Sequence, residues 1–339
     1  MINLISDTVT KPTAPMLKAM MQAEVGDDVF EEDPTINTLE AKVATMFGKE
    51  AAIFCPSGTM TNQIAIKVHT QALDEVICDH YSHIYQYEVG GYAFNSGVAI
   101  NLIEGTYGKI TAQQIEQAIK PRHDWLPISK LVVLENTCNK GGGSIYHLEE
   151  VDAISQLCER RNLTLHLDGA RIFNALVETG DTTEEVGKQF DSISICLSKG
   201  LGAPVGSLLI GERDFIREAR RFRKVMGGGM RQAGYLAAAG IYALDHHVDR
   251  LQVDNERARK IGKLLEELPY VSSVRPVESN ILIFDLAEPH TAENYLAWLK
   301  SEGVNAAAFG PRTVRFVTHL DFTEDMMQQV LDLLPKWKV

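Results

Sequence analysis

Basic residues are in the minority in this chain: 33 Lys and Arg stand against 45 Asp and Glu, a net charge of −12. Nucleic-acid binders usually carry the opposite excess, so no nucleic-acid partner is expected; a small anionic ligand stays open, because local basic groups decide that. Long apolar runs are missing too. None approaches the roughly 18 residues that cross a bilayer, and no membrane association is expected. The stretch Met1–Asp7 lacks the basic region and apolar segment of a secretory signal. Cysteine is scarce and odd in number: Cys55, Cys78, Cys138, Cys158 and Cys196 show no zinc-ligand or redox spacing. Reduced thiols in a cytoplasmic protein are therefore expected. No Gly-Lys pair precedes Ser or Thr, which excludes a Walker loop, and there is no His-Glu-x-x-His. Gly200-Leu201-Gly202 with Gly206 sets the third glycine one place late for a dinucleotide fingerprint and reads as a tight turn. His246-His247 has no third ligand in view, so no metal site is expected.

What is present is an ordinary globular balance. The 339 residues are 45% hydrophobic and 23% charged, enough for a large core and a smaller second one. After an acidic, turn-rich loop around Gly26–Pro34, short apolar runs alternate with helical patterns. Strands are expected at 51–55, 75–78, 99–103, 130–134, 164–167, 193–197 and 207–210. Helices are expected at 35–47, 59–70, 111–119 and 148–161. This alternation predicts an α/β fold with a mostly parallel sheet covered by helices. One long helix is expected over 235–268. A smaller α+β unit follows, with strands near 271–274, 281–284 and 313–316 and helices near 292–301 and 324–333. The expected division is 1–245, a large domain including the N-terminal segment, and 246–339, a small C-terminal α+β domain.

Three segments carry chemistry. In Leu165-His166-Leu167-Asp168-Gly169-Ala170-Arg171, an apolar strand delivers a carboxylate at its C-terminal end, the edge where open α/β sheets bind ligands. By itself Asp168 could equally be a helix cap. In Ile193–Leu197 followed by Ser198-Lys199-Gly200, a lysine follows directly on a buried strand. A desolvated lysine forms imines with a carbonyl cofactor; alone, Lys199 could also be a solvated loop residue. In Pro56-Ser57-Gly58-Thr59, a strand ends and a helix begins, and such helix starts suit phosphates. An ordinary capped helix would look the same. Together the three are far more specific. A carboxylate for a pyridine nitrogen, an imine-forming lysine and a phosphate-binding helix start are the parts of a pyridoxal phosphate site.

At this point the chain resembles the low-specificity L-threonine aldolases, within the fold-type-I pyridoxal phosphate enzymes, nearly end to end. The most specific parts are Ser6-Asp7-Thr8-Val9-Thr10, Glu31-Glu32-Asp33-Pro34-Thr35, Ser57–Asn62, Leu134-Glu135-Asn136-Thr137, His166–Arg171, Leu197-Ser198-Lys199-Gly200, Gly227–Gln232 and Val314–His319. The resemblance implies a fold-type-I architecture and retro-aldol cleavage of L-threonine, L-allo-threonine and related β-hydroxy-α-amino acids to glycine and an aldehyde. It implies that Lys199 carries pyridoxal 5'-phosphate as a Schiff base and that Asp168 pairs with the ring nitrogen. His83 stacks on the ring and is the candidate base. Ser57, Gly58 and Thr59 bind the phosphate. Ser6, Arg171 and Arg315 hold the substrate carboxylate, and Arg171 also borders the cofactor. Lys224 and Arg231 reach the phosphate region from a neighbouring subunit of a homotetramer built as a dimer of dimers.

Some positions depart from the family pattern. Phe30 and Glu31 stand where relatives carry Tyr and Gly. Trp125 stands at a position where relatives often place a histidine against the substrate hydroxyl, with His123 two residues away, and Cys138 replaces a common histidine. Phe30 and Trp125 thus belong to the part of the site that reads the β-hydroxyl and side chain. Within the same fold, the alternatives are a β-eliminating lyase, which would release ammonia and a keto acid, and an aminotransferase, which would release a keto acid and pass the amino group on. A nucleotide-dependent oxidoreductase and a non-catalytic binding protein are the readings from other classes.

Overall fold

The computed structural model describes residues 1–337; the last two positions of the expected C-terminal domain lie outside them. A seven-stranded sheet forms the centre. In spatial order its strands are Ala51–Cys55, Ser207–Gly211, Ser192–Cys196, Thr164–Gly169, Ile128–Glu135, Asp74–Asp79 and Ala99–Ile103. Ser207–Gly211 runs antiparallel to both its neighbours, and the other adjacent pairs are parallel. The inner strands are covered on both faces, which is why they read as unbroken apolar runs rather than alternating ones. Parallel pairing requires a helical crossover. The connection from Cys196 to Ser207 contains no helix, so the chain turns straight back. Gly206 takes φ +126 there, and a Cβ on it would lie 2.5 Å from the Phe54 ring. Lys199 sits on this return.

The helix expected at 35–47 spans Pro34–Met46. Asp33 caps it, its Oδ1 accepting from the amides of Thr35 and Ile36 at 3.1 Å each, with Pro34 in the first turn. Gly48 ends it in the left-handed region. The single helix expected over 235–268 is instead two, Gly234–His246 and Leu251–Glu266. His247 turns inward and donates from Nδ1 to the Leu201 carbonyl at 2.7 Å, while Arg250 pairs with Asp254 across the start of the second helix. These side-chain bonds compete with continued helix and redirect the chain. The helices Ile172–Thr179, Thr183–Gln189 and Arg213–Val225 were not anticipated.

The first helix of that broken pair covers the main core, and the second enters another. This second core lies against a four-stranded antiparallel sheet ordered Ala307–Ala308, Thr313–Val317, Ile281–Leu286, Val271–Val274. Ile2–Asn3 pairs in parallel with Val304–Asn305, and Ile2 and Leu4 pack in this core. The sequence division groups these first residues with the large unit; a two-residue strand carries no periodicity by which its partner could be read.

Candidate active site

The C-terminal ends of the parallel strands gather Asp79, Glu135 and Asp168 at one edge, with Glu135 and Asp168 register partners. A cavity of about 190 Å³ opens there. Ser57, Gly58, Thr59, His83, Asp168, Arg171 and Lys199 all line it, so residues far apart in the chain meet at one place. Lys199 makes no ion pair among the described residues. Ser57 caps the helix Gly58–His69, its Oγ accepting from the Met60 amide at 3.2 Å. The amides of Gly58 and Thr59 have no partner among the described residues. A Cβ on Gly58 would stand 2.7 Å from Cys196 Sγ, so only glycine allows the helix start to approach so closely.

Asp168 does not stand alone. Asn62 Nδ2 donates one hydrogen to Asp168 Oδ2 at 2.8 Å and the other to Glu88 Oε1 at 2.9 Å. Glu88 Oε1 also meets His83 Nδ1 at 2.9 Å, and Gln63 donates to Glu88 Oε2 at 2.6 Å. Burial alone would lower the His83 imidazole, but the Glu88 bond and the Asp168 and Glu135 charges raise it above its ordinary value. With Nδ1 held by Glu88, Nε2 is the nitrogen left for other work. Glu135 accepts from the amides of His83 at 2.7 Å and Asn139 at 2.9 Å. Burial, then the neighbouring Asp168 carboxylate, push Glu135 up to about 7.

The expected carboxylate-binding group is only partly assembled on one surface. Arg171 lines the cavity but spends one edge on Asp7: Nε donates at 2.7 Å and Nη2 at 2.6 Å. Burial would raise Asp7, yet the Arg171 guanidinium holds it down to about 2. Arg315 lies beside the cavity wall rather than on it. It donates to Asn139 Oδ1 at 2.6 Å and to the Ile5 carbonyl at 2.7 Å, while its buried Nε has no partner. Burial, then Arg171, lower it to about 10. Two guanidinium groups close enough to repel mark a place where an anion would be welcome. Ser6 Oγ accepts from the Thr8 amide and hydroxyl at 3.2 and 2.9 Å.

Four expected residues lie away from this cavity. Lys224 borders a separate cleft with Arg220, Arg223 and Asp28. Arg231 pairs with Asp27 at 2.8 Å and covers the ring of Phe30, which is 68% exposed. Trp125 is 75% exposed and stacks on His123, ring centroids 4.6 Å apart. Within one chain, none of these reaches Lys199's surroundings. Asp7, Asn62, Glu88, Glu135 and Asn139 are the site residues to which the sequence reading assigned no role. Asp7, Asn62 and Glu135 lie within the family-like motifs; Glu88 lies between two short helices and carries no local signal.

The sequence pattern of the family described as "Beta-eliminating lyase" matches residues 3–289. The low specificity L-threonine aldolase of Escherichia coli K12 is 43% identical over 333 residues, covering 97% of this chain and 97% of that protein. A probable low-specificity L-threonine aldolase 2 of Arabidopsis thaliana is 41% identical, covering 99% and 96%. Among solved structures, the Leishmania major threonine aldolase superposes with a TM-score of 0.86 over 98% of each chain at 22% identity, a likeness of fold. The architecture is that of fold-type-I pyridoxal phosphate enzymes, and the chain belongs to the beta-eliminating lyase family, among its low-specificity L-threonine aldolases.

Proposed function

We propose that this protein is a pyridoxal-phosphate-dependent lyase that splits the Cα–Cβ bond of L-threonine, L-allo-threonine and related β-hydroxy-α-amino acids, giving glycine and an aldehyde. The observation that carries the reading is the meeting, in one cavity, of an unpaired lysine, a buried carboxylate and a glycine-opened helix start. That donor set fits pyridoxal phosphate. Lys199 would hold the aldehyde carbon, Asp168 would face the ring nitrogen, and the amides of Gly58 and Thr59 with the Ser57 hydroxyl would take the phosphate at the positive end of a helix. When bound, the cofactor supplies an electron sink for the breaking bond.

The chain's own residues do the rest. Arg171, with Arg315 behind it, grips the substrate carboxylate; a guanidinium fork suits this geometrically. Fixing the carboxylate fixes the direction of the Cα–Cβ bond. His83, its Nδ1 committed to Glu88, presents Nε2 to take the β-hydroxyl proton. Lys224 and Arg231, remote from their own cavity, serve the neighbour's site in a homotetramer built from dimers, and Phe30 and Trp125, equally remote from it, would meet the aldehyde-forming side chain only from a neighbouring subunit.

The test is direct. The purified protein is examined for the yellow colour of lysine-bound cofactor, then given L-threonine, L-allo-threonine and phenylserine separately, with glycine and aldehyde measured. Glycine with equimolar aldehyde is expected. Ammonia with a keto acid would make the protein an eliminating lyase, and a colourless protein that takes up no pyridoxal phosphate would end the proposal.

A further inference from the structure

Behind Asp168 lies a line of side chains that the proposed mechanism does not use. His166 Nε2 meets Asn62 Oδ1 at 3.3 Å, His166 Nδ1 meets Ser192 Oγ at 2.8 Å, and His69 Nε2 meets the same Ser192 Oγ at 2.7 Å. The arrangement follows from local geometry. Asn62 and His69 are seven apart on one helix and share its face. His166 and Asp168 are two apart on one strand and share its face. Ser192 is the register partner of His166 on the next strand. His69 closes the far end, stacked on Phe215 with ring centroids 4.4 Å apart.

The direction of every bond in this line can be worked out. Asn62 faces two carboxylates, Asp168 and Glu88, which accept and do not donate when ionised. Its amide nitrogen must therefore point at them and its oxygen at His166. A bare oxygen needs a donor, so His166 carries its proton on Nε2. Burial lowers His166 to about 4 and His69 to about 3, so both rings are neutral near pH 7. A neutral His166 has Nδ1 as an acceptor, which takes the Ser192 hydroxyl hydrogen. Ser192 Oγ in turn accepts from His69 Nε2.

We propose that His69, Ser192, His166 and Asn62 form a one-way chain of hydrogen-bond donors ending on Asp168, and that these positioning residues hold its carboxylate as the acceptor for the pyridine nitrogen. The need for such a device is visible. Ligand atoms of Asp168, Glu88 and His83 lie within 4.8 Å of one another, so a second carboxylate stands beside Asp168, with the Asn62 amide donating to both. An Asn62 amide turned the other way would set its oxygen against both carboxylates and leave Asp168 without that donor. Neutral donors aligned toward Asp168 add favourable interaction without adding a buried charge, and aligned bonds polarise one another. The inference rests on the reading that Asp168 faces pyridoxal phosphate.

Two measurements test it. In holoenzyme with ¹⁵N-labelled histidine, the side-chain nitrogen signals of His166 and His69 should both report neutral rings protonated on Nε2. An Nδ1-protonated or cationic His166 would overturn the chain. With ¹⁵N-labelled pyridoxal phosphate, the ring-nitrogen signal should be that of a protonated pyridine. His166→Phe should move that signal toward the neutral form and weaken cofactor affinity about tenfold, one good hydrogen bond's worth. His166→Gln, which keeps one donor and one acceptor, should restore both, a rescue that a purely space-filling role would not show. A folded His166→Phe variant with an unmoved ring signal and wild-type affinity would refute the proposal. Ser192→Ala, a smaller change, repeats this arm if His166→Phe does not fold, with the same criterion. Failure to take up any cofactor would overturn the proposed function, while the histidine signals, readable without the cofactor, would still judge the chain.

Discussion

Replacing Asp7 by Asn alters one oxygen and tests how Arg171, proposed to grip the substrate carboxylate, is held. Asp7 is wholly buried, and both its oxygens accept from Arg171, with Asn280 donating to Oδ2 at 3.3 Å. An amide there must turn an NH₂ toward the guanidinium or give up one of the two bonds. Each tenfold change in acidity is worth about 1.4 kcal/mol, so holding Asp7 from its ordinary 3.8 down to about 2 contributes roughly 2.4 kcal/mol. Breaking a buried pair from one side typically costs about 3–5 kcal/mol. A loss of about 2–4 kcal/mol is therefore expected. With an unfolding entropy near 2.1 cal/mol/K per residue over 339 residues, that lowers Tm by about 3–6 °C. Calorimetry at matched protein and cofactor concentration is the assay, since bound ligand and assembly also move Tm. Because Asp7 is held down in the folded state, its contribution is full above its ordinary value and fades as pH falls toward about 2, so the gap between wild type and Asp7→Asn should narrow in acid. The variant should also show a raised KM for L-threonine with a smaller change in kcat, because Arg171 loses its anchor rather than its charge. A Tm within about 1 °C of wild type together with an unchanged KM would refute the argument.

His83→Asn should lower retro-aldol turnover by about 10²- to 10⁴-fold, measured as glycine formed from L-threonine; near-normal turnover would move the base elsewhere. Because His83 is raised by Glu88 and must be neutral to accept a proton, the acid limb of the kcat profile should fall above the ordinary histidine value, and Glu88→Gln should shift that limb downward. Glu135 is raised to about 7 by burial and Asp168, so its ionisation destabilises the fold: stability should decline as pH rises from about 4.5 through about 7, and denaturation of Glu135→Gln should lack that component. Coexpressing Lys199→Ala and Arg231→Ala subunits should give hybrids more active than either parent alone, as expected if Arg231 serves the neighbour's site; purely additive activities would confine each site to one chain.

How much of this was legible in the sequence depends on the distance over which each residue acts. Lys199, Asp168 and the Gly58 turn were readable because each directly follows its own apolar strand, and strand ends fall on a common edge whatever the details of packing. The helix break at His247–Arg250 was not, since an inward histidine bonded to the Leu201 carbonyl has no periodic signature. Asp7 meets Arg171 across 164 positions and Asn62 meets Asp168 across 106. Nothing local distinguishes those side chains from ordinary capping or surface polar residues.

The sequence by itself determined the strand–helix alternation, the parallel sheet and the lysine at its edge, because hydrophobic period and turn residues act within a few positions. The tertiary structure alone decided what surrounds that lysine: which edge of Arg171 is occupied, which nitrogen of His83 is free, and which way the donors behind Asp168 point. Those outcomes depend on side chains from several strands and helices competing for the same few hydrogen bonds, and that competition exists only once the sheet has brought them together.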